Sequence, residues 1–131
     1  DYASSTGANE TKIKKHDDEL VLRLRKTPDI LAGLGEARGE SSKPFLVGFA
    51  AETESLIESA SEKLRSKRVD MVVANDVTQA GAGFDVDTNV ATLVTRDNVQ
   101  PVTKRSKRDL ARVIFDRIES CVQDELAASR V

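Results

Sequence analysis

The chain holds one cysteine and one histidine in 131 residues. Cys121 has no partner for an internal disulfide, and with His16 it makes no metal-ligand set, which argues against structural zinc. The longest apolar stretch, Phe45 to Ala51, is far shorter than the ~20 residues that cross a bilayer. No charged-then-apolar leader opens the chain, so a cytoplasmic protein with no membrane partner is expected. Charge of one sign is also missing. Twenty basic residues face 22 acidic ones, and a net charge of −2 gives no global field to draw nucleic acid or an anionic membrane. Any anion site must be local. Gly81 and Gly83 form no Gly-x-Gly-x-x-Gly fingerprint, and no Gly-x-x-x-x-Gly-Lys-Ser/Thr phosphate loop is present. A nucleophile triad finds no support, because the sole His16 lies in a polar, solvated run. Asp85 and Asp87 supply two carboxylates with no further ligand beside them.

What is present alternates strands with helices. Residues 1–18 are polar and aperiodic and read as a mobile loop. Leu20, Leu22 and Leu24 alternate with Val21, Arg23 and Arg25, the period of a half-buried strand. A short helix is expected next, with Thr27 as cap, Pro28 in the first helical position and Asp29 at the positive end of the dipole. Gly33, Gly35 and Gly39 weaken that helix and end it early. Phe45 to Ala50 is a continuous apolar run behind Pro44, the pattern of a fully covered parallel strand. From Thr53 to Arg68 the residues Leu56, Ile57, Ala60 and Leu64 recur at helical spacing, and Asp70 to Ala74 is a second buried strand. Together these make one βαβ unit with a right-handed crossover. A long connection over 75–89 follows, then a hairpin of Ala91–Thr95 and Gln100–Thr103 around Arg96-Asp97-Asn98. Ser106 to Asp109 resembles a capping box before a last helix whose inner side carries Leu110, Val113, Ile114, Ile118, Cys121 and Val122. That helix is expected to fray within 119–131, chiefly beyond Asp124.

In open α/β sheets, ligands sit outside the carboxyl ends of the strands. Two loops here leave such ends, one after Phe49 and one after Ala74. Phe49 can lie against a base or sugar face, although a Phe ending a buried strand is ordinarily core. Asn75 and Asp76 can bind a ligand or simply fix the turn. Lys12, Lys14 and Lys15 gather three cations in one loop, a pattern that fits a polyphosphate but also fits a solvated run. Lys63 and Lys67, four apart, share one helix face and can reach one place, or can be ordinary surface lysines.

The order and spacing of Lys12-Ile13-Lys14-Lys15, Gly48-Phe49-Ala50-Ala51-Glu52-Thr53 and Ala74-Asn75-Asp76-Val77 resemble the C-terminal half of bacterial phosphopantothenoylcysteine synthetase. The likeness runs from Asp1 to about Ile118. That family is the ligase of coenzyme A biosynthesis, often fused behind a flavin-dependent decarboxylase. The resemblance implies an α/β, Rossmann-like three-layer sandwich with a mostly parallel sheet plus a C-terminal hairpin, present here as a partial domain. Residues 1–131 would be the C-terminal part of the synthetase domain. In the family, Asp1-Tyr2 ends an Ala-Ala-Val-Ala-Asp-Tyr segment, so a Gly-rich turn and a catalytic Asn are expected upstream and this piece alone is expected to have little or no ligase activity.

The resemblance further implies CTP, 4′-phosphopantothenate and L-cysteine as reactants, Mg²⁺ with the CTP, a homodimer, and FMN only in a fused decarboxylase domain. Lys12 would be the catalytic lysine of a flap that also carries Lys14 and Lys15. Phe49, Lys63, Lys67 and the helix start Pro28, Asp29, Ile30 and Leu31 match nucleotide-contacting positions, and Asp1 matches one at the nucleotide and its metal. Two other classes compete: a non-catalytic nucleotide-binding or dimerisation module, and a dinucleotide-dependent oxidoreductase, against which the absent fingerprint counts.

Overall fold

Met71, Val72, Val73 and Ala74 are buried on both sides of one strand, around which the four-stranded sheet and its two cores are built. In the computed structural model, which describes residues 1–5, 21–78 and 87–128, the side chains alternate between two cores. Val72 and Ala74 join Leu46, Ala50, Ala60, Leu64, Val69 and Val94 on one face. Met71 and Val73 join Ala91, Leu93, Val102, Leu110 and Ile114 on the other. The elements in chain order are β1 (Tyr2–Ser4), β2 (Leu24–Lys26), α1 (Ile30–Arg38), β3 (Val47–Glu52), α2 (Leu56–Ser66), β4 (Met71–Asp76), β5 (Thr88–Thr95), β6 (Val99–Ser106) and α3 (Lys107–Ala128).

The chain divides into two compact units, Asp1–Ile30 and Leu31–Val131. In the first, β1 and β2 pair antiparallel, Tyr2 opposite Lys26 and Ser4 opposite Leu24. The pair is closed at its ends by Ser5 N–H to Arg23 O at 2.9 Å and Thr27 N–H to Asp1 O at 3.0 Å. The expected strand around Leu20 to Leu24 therefore begins later. Three residues of β1 offer a ladder only to Leu24–Lys26, and Val21, Leu22 and Leu24 are exposed rather than half-buried.

The second unit is a mixed sheet in the order β3-β4-β5-β6 with helices on both faces. The three-layer α/β arrangement agrees with the sequence. Parallel pairing, expected to dominate, is confined among the described strands to β3 with β4, and β4/β5 and β5/β6 are antiparallel. The reason is chain length: a parallel return needs a crossover helix, as α2 provides, whereas Arg96-Asp97-Asn98 reverses β5 into β6 directly. The hairpin itself appears where expected, with β5 beginning earlier, at Thr88, and β6 longer at both ends.

Helix boundaries differ from the sequence reading in instructive ways. α1 starts at Ile30, so Asp29 takes the position before the helix that the sequence gives to Thr27, and Pro28 lies outside it. The helix runs through Gly33 and Gly35 and stops where Gly39 adopts φ +62°. Gly35 is there for close approach, because a Cβ would fall on the carbonyl oxygen of Lys67. At the same junction the Arg38 guanidinium donates to the Asp70 carboxylate, to Pro44 O at 3.0 Å and to Arg68 O at 2.6 Å. α3 runs to Ala128. Its start is held by Ser106, whose hydroxyl accepts Asp109 N–H at 3.0 Å and donates to Asp109 Oδ2 at 2.7 Å.

Candidate functional site

The one parallel pair among the described strands ends at Glu52 and Asp76, which are register partners, and the candidates Phe49 and Asn75 lie just before those ends. β3 is an edge strand whose burial alternates. Gly48 and Ala50 are buried, while Phe49 is 66% exposed and Ala51 is exposed too. The fully covered strand expected from the apolar run is thus covered along the Ala50 face, while on the other face Phe45 and Val47 pack against the Met71/Val73 core and only the Phe49 end is exposed. The helices α1 and α2 lie on the Ala50 side, and α3 sits over β5 and β6.

Phe49 forms one wall of a 300 Å³ pocket that also includes Asn75, Val77, Asn89, Lys107 and Leu110. Its surface is mainly hydrocarbon, with the two amides and the first residue of α3 as the polar groups. Such a pocket orients a ligand with few but well-placed hydrogen bonds. Asn75 Oδ1 accepts Asn89 Nδ2 at 2.9 Å, and Asn89 Oδ1 accepts the N–H of Val90 at 3.1 Å. The Lys107 N–H donates to Asp87 O at 2.9 Å, which ties the start of α3 to the residue before β5. Asp76 Oδ1 accepts Thr78 N–H at 3.0 Å and the Thr78 hydroxyl at 2.6 Å, so its carboxylate closes the turn leaving β4.

Lys63, on α2, forms an ion pair with Glu52 at the end of β3; the side chains are 40% and 16% exposed respectively. α2 ends at Ser66, and Lys67 is its C-cap residue at φ −95°, with its N–H still bonded to Lys63 O at 3.0 Å. Neither lysine lines the pocket. Lys12, Lys14, Lys15, His16, Gly81, Gly83 and Asp85 lie outside the described residues. Asp1, Pro28, Asp29 and Ile30 belong to the first unit, and Leu31 opens the second and packs on its α1/α2 core. Among the described residues no three His, Cys, Asp or Glu side chains converge as a metal site would require. No helix there is long and apolar enough to cross a membrane.

A larger cavity of about 1140 Å³ lies at the start of β4, around Arg38, Asp70, Arg117 and Cys121. It is at the amino ends of the parallel strands, where open α/β sheets do not place their ligands, so the smaller pocket is the better candidate. Burial pushes the Cys121 thiol up; Arg117 opposes this, and Asp124, Glu125 and Asp70 add to it. A thiol held protonated is a poor nucleophile. Half-buried rather than core, Cys121 is a bystander.

Sequence reasoning missed Glu52, Asn89 and Lys107 as site residues. Glu52 stood inside the Gly48 to Thr53 segment and Lys107 inside the capping pattern, so each had a local role that masked the other. Asn89 closes a long connection, and only the β4/β5 pairing brings it to Asn75.

Residues 1–122 match the family described as DNA/pantothenate metabolism flavoprotein C-terminal domain. The chain is 43% identical over 108 residues to a coenzyme A biosynthesis bifunctional protein CoaBC of Bacillus subtilis, covering 82% of this chain and 26% of that one. To the protein of the same name from Escherichia coli K12 it is 38% identical over 121 residues, covering 90% of this chain and 29% of that one. It therefore spans under a third of these relatives. The crystal structure of the C-terminal domain of a CoaBC superimposes with a TM-score of 0.64 at 41% identity, over 77% of this chain and 48% of that one. With 122 of its 131 residues matched, the chain belongs to the family of the DNA/pantothenate metabolism flavoprotein C-terminal domain.

Proposed function

We propose that this chain is part of a phosphopantothenate–cysteine ligase of coenzyme A biosynthesis. The observation that carries the reading is the family membership joined to the meeting of Phe49 and Asn75 in one pocket at the carboxyl ends of the parallel strands. In the first step a carboxylate oxygen of 4′-phosphopantothenate attacks the α-phosphorus of CTP, and pyrophosphate leaves. In the second, the amine of L-cysteine attacks the acyl carbon, CMP leaves, and the amide forms with loss of the amine proton. Neither step needs a nucleophile from the protein, in keeping with Cys121 as a bystander. What the chain must supply is orientation and stabilisation of developing negative charge.

Lys12 is assigned to the phosphates and the acyl intermediate, with Lys14 and Lys15 beside it in the same flap. Phe49, Lys63, Lys67 and the segment Pro28, Asp29, Ile30 and Leu31 leading into α1 are assigned to the nucleotide. Mg²⁺, arriving with CTP, neutralises triphosphate charge. With no carboxylate cluster in the described residues, it fits a mode in which substrate oxygens, water and at most one side chain such as Asp1 hold it. The active form is a homodimer, with the β5–β6 hairpin as one candidate surface, and it works in the cytoplasm.

The test is CTP-dependent amide formation from 4′-phosphopantothenate and cysteine by the native polypeptide that contains this chain. Lys12→Gln is expected to lower kcat roughly 10²- to 10³-fold, the scale of losing one charge-stabilising donor. Wild-type turnover in that variant would remove the lysine's role, and no amide formation by the unaltered protein would remove the ligase reading.

A further inference from the structure

An asparagine side chain has an accepting end and a donating end, and which end faces a ligand decides what the ligand must offer. Around the 300 Å³ pocket this choice is fixed by a chain of two hydrogen bonds. The backbone N–H of Val90 is a donor and needs an acceptor, so the atom of Asn89 lying 3.1 Å from it is the amide oxygen. The other end of Asn89 is then NH₂, and its partner 2.9 Å away on Asn75 is an oxygen. What remains of the Asn75 amide is its own NH₂, on a residue that lines the pocket. Asn89 is held for this task by its backbone. β5 changes register against β6 between Asn89 and Ala91, and such irregularities re-aim a side chain at a functional edge.

We propose that Asn89 is a positioning residue that locks the Asn75 amide with its N–H groups toward the pocket, so that the pocket accepts a ligand oxygen and rejects a ligand N–H at that point. The ligand class is a carboxylate, carbonyl or phosphate oxygen carried on a partly apolar molecule, because Val77, Leu110 and Ile114 supply hydrocarbon walls around it, with Phe49 the wall left to the nucleotide. The inference rests on the ligase reading only for the choice of 4′-phosphopantothenate as probe.

Asn89→Asp is the informative change. The aspartate is nearly isosteric and one oxygen still accepts from Val90, but its second oxygen is now an acceptor facing Asn75. Asn75 must turn over to donate to it, which presents the Asn75 carbonyl to the pocket. Asn89→Ala only removes the lock and leaves Asn75 free to turn either way. The expected order is therefore the reverse of the order for simple packing. In the native polypeptide, Asn89→Asp raises KM for 4′-phosphopantothenate by about 10-fold or more, the scale of meeting a buried acceptor with an acceptor, and Asn89→Ala raises it by about 2- to 4-fold. KM for CTP changes by less than about 2-fold in both. Repulsion from the new aspartate charge would act on CTP at least as strongly and would weaken at high salt, whereas the turned amide persists there.

A second readout does not depend on activity. With asparagine-selective ¹⁵N labelling, the Asn75 side-chain protons exchange freely with solvent in the wild type and become protected in Asn89→Asp. The proposal is overturned if Asn75 protection is the same in both proteins, if Asn89→Ala is the more damaging change, or if the KM values of all substrates rise together. Failure of the wild type to form amide with CTP would sink the ligase reading instead, and the exchange measurement would still decide the role of Asn89.

Discussion

Two glycines in the same short helix should respond to the same substitution with opposite sign. Replacing a helix-interior glycine by alanine stabilises by roughly 0.5–1 kcal/mol, since alanine loses less backbone freedom on folding. At Gly33 no atom lies within 4 Å of the added Cβ, so Gly33→Ala should deliver that gain in full. At Gly35 the Cβ would sit on the carbonyl oxygen of Lys67, reach 3.0 Å from its carbonyl carbon and 3.3 Å from the Arg68 Cβ. The obstacle cannot move aside cheaply. Lys67 N–H bonds to Lys63 O at 3.0 Å, Arg68 N–H to Arg65 O at 3.2 Å and Val69 N–H to Leu64 O at 3.1 Å, while Arg68 already holds φ +51°. Forcing a methyl into a packed contact costs about 1–3 kcal/mol, and a pinned backbone puts this case at the upper end. Gly35→Ala should therefore be destabilised by about 2 kcal/mol after the helix gain, leaving the two variants about 2.5–3 kcal/mol apart. Urea unfolding followed by far-ultraviolet circular dichroism measures this as a difference in midpoint at constant slope. A Gly35→Ala protein as stable as the wild type, or both variants shifting the same way, would refute the proposed contact of α1 with the end of α2.

Arg38→Ala should cost roughly 2–4 kcal/mol in the same assay, because it strips three acceptors and leaves the Asp70 carboxylate, 20% exposed, with only the Leu46 N–H at 2.6 Å. Arg38→Lys should recover part of this, since an ammonium meets Asp70 but lacks the fork that also reaches Pro44 and Arg68. For Cys121 the folded thiol titrates above an ordinary thiol, so any stability it contributes is full at neutral pH and is lost as pH rises through its folded value. Iodoacetamide alkylation should accordingly gain speed at higher pH than with a free thiol, and Arg117→Ala should move that rise higher still. Phe49→Ala should change stability by less than about 1 kcal/mol while raising substrate KM, whereas Leu93→Ala, at a fully buried site, should cost about 2–5 kcal/mol.

The elements of the second unit were legible because each is a local pattern. Met71 to Ala74 is apolar without interruption, Ala60 and Leu64 fall on one helix face, and Arg96-Asp97-Asn98 interrupts two β-prone runs. What the sequence hid are features set by pairing across distance. Nothing near Gly35 announces Lys67, nothing near Asn75 announces Asn89, and no local rule says that Lys63 will meet Glu52. The α2 boundary shows the same limit from the other side. The spacing of Lys63 and Lys67 is helical and Lys67 N–H keeps its bond to Lys63 O, but no local pattern announces that the helix stops there, with Arg68 at φ +51° and Val69 buried in the core.

Phe49 shows why that distinction matters for function. Burying a phenylalanine side chain is worth about 1.5–3 kcal/mol, and this sheet has a covered face one residue away on either side, at Gly48 and Ala50. The strand nevertheless turns the largest side chain of its run to the face that α3 leaves open, beside a pocket whose polar groups are oriented by Asn89 and Val90. With a side-chain period of 2, a shift of one residue would exchange those faces, but it would also bring Leu46 out of the core. The register is instead fixed by β4, whose six pairs with β3 run from Val47 opposite Met71 to Glu52 opposite Asp76. That same register sets Ala51 opposite Asn75, so the exposed ring and the donor amide come from rungs two apart on one face of one ladder, and neither could be moved without displacing the other.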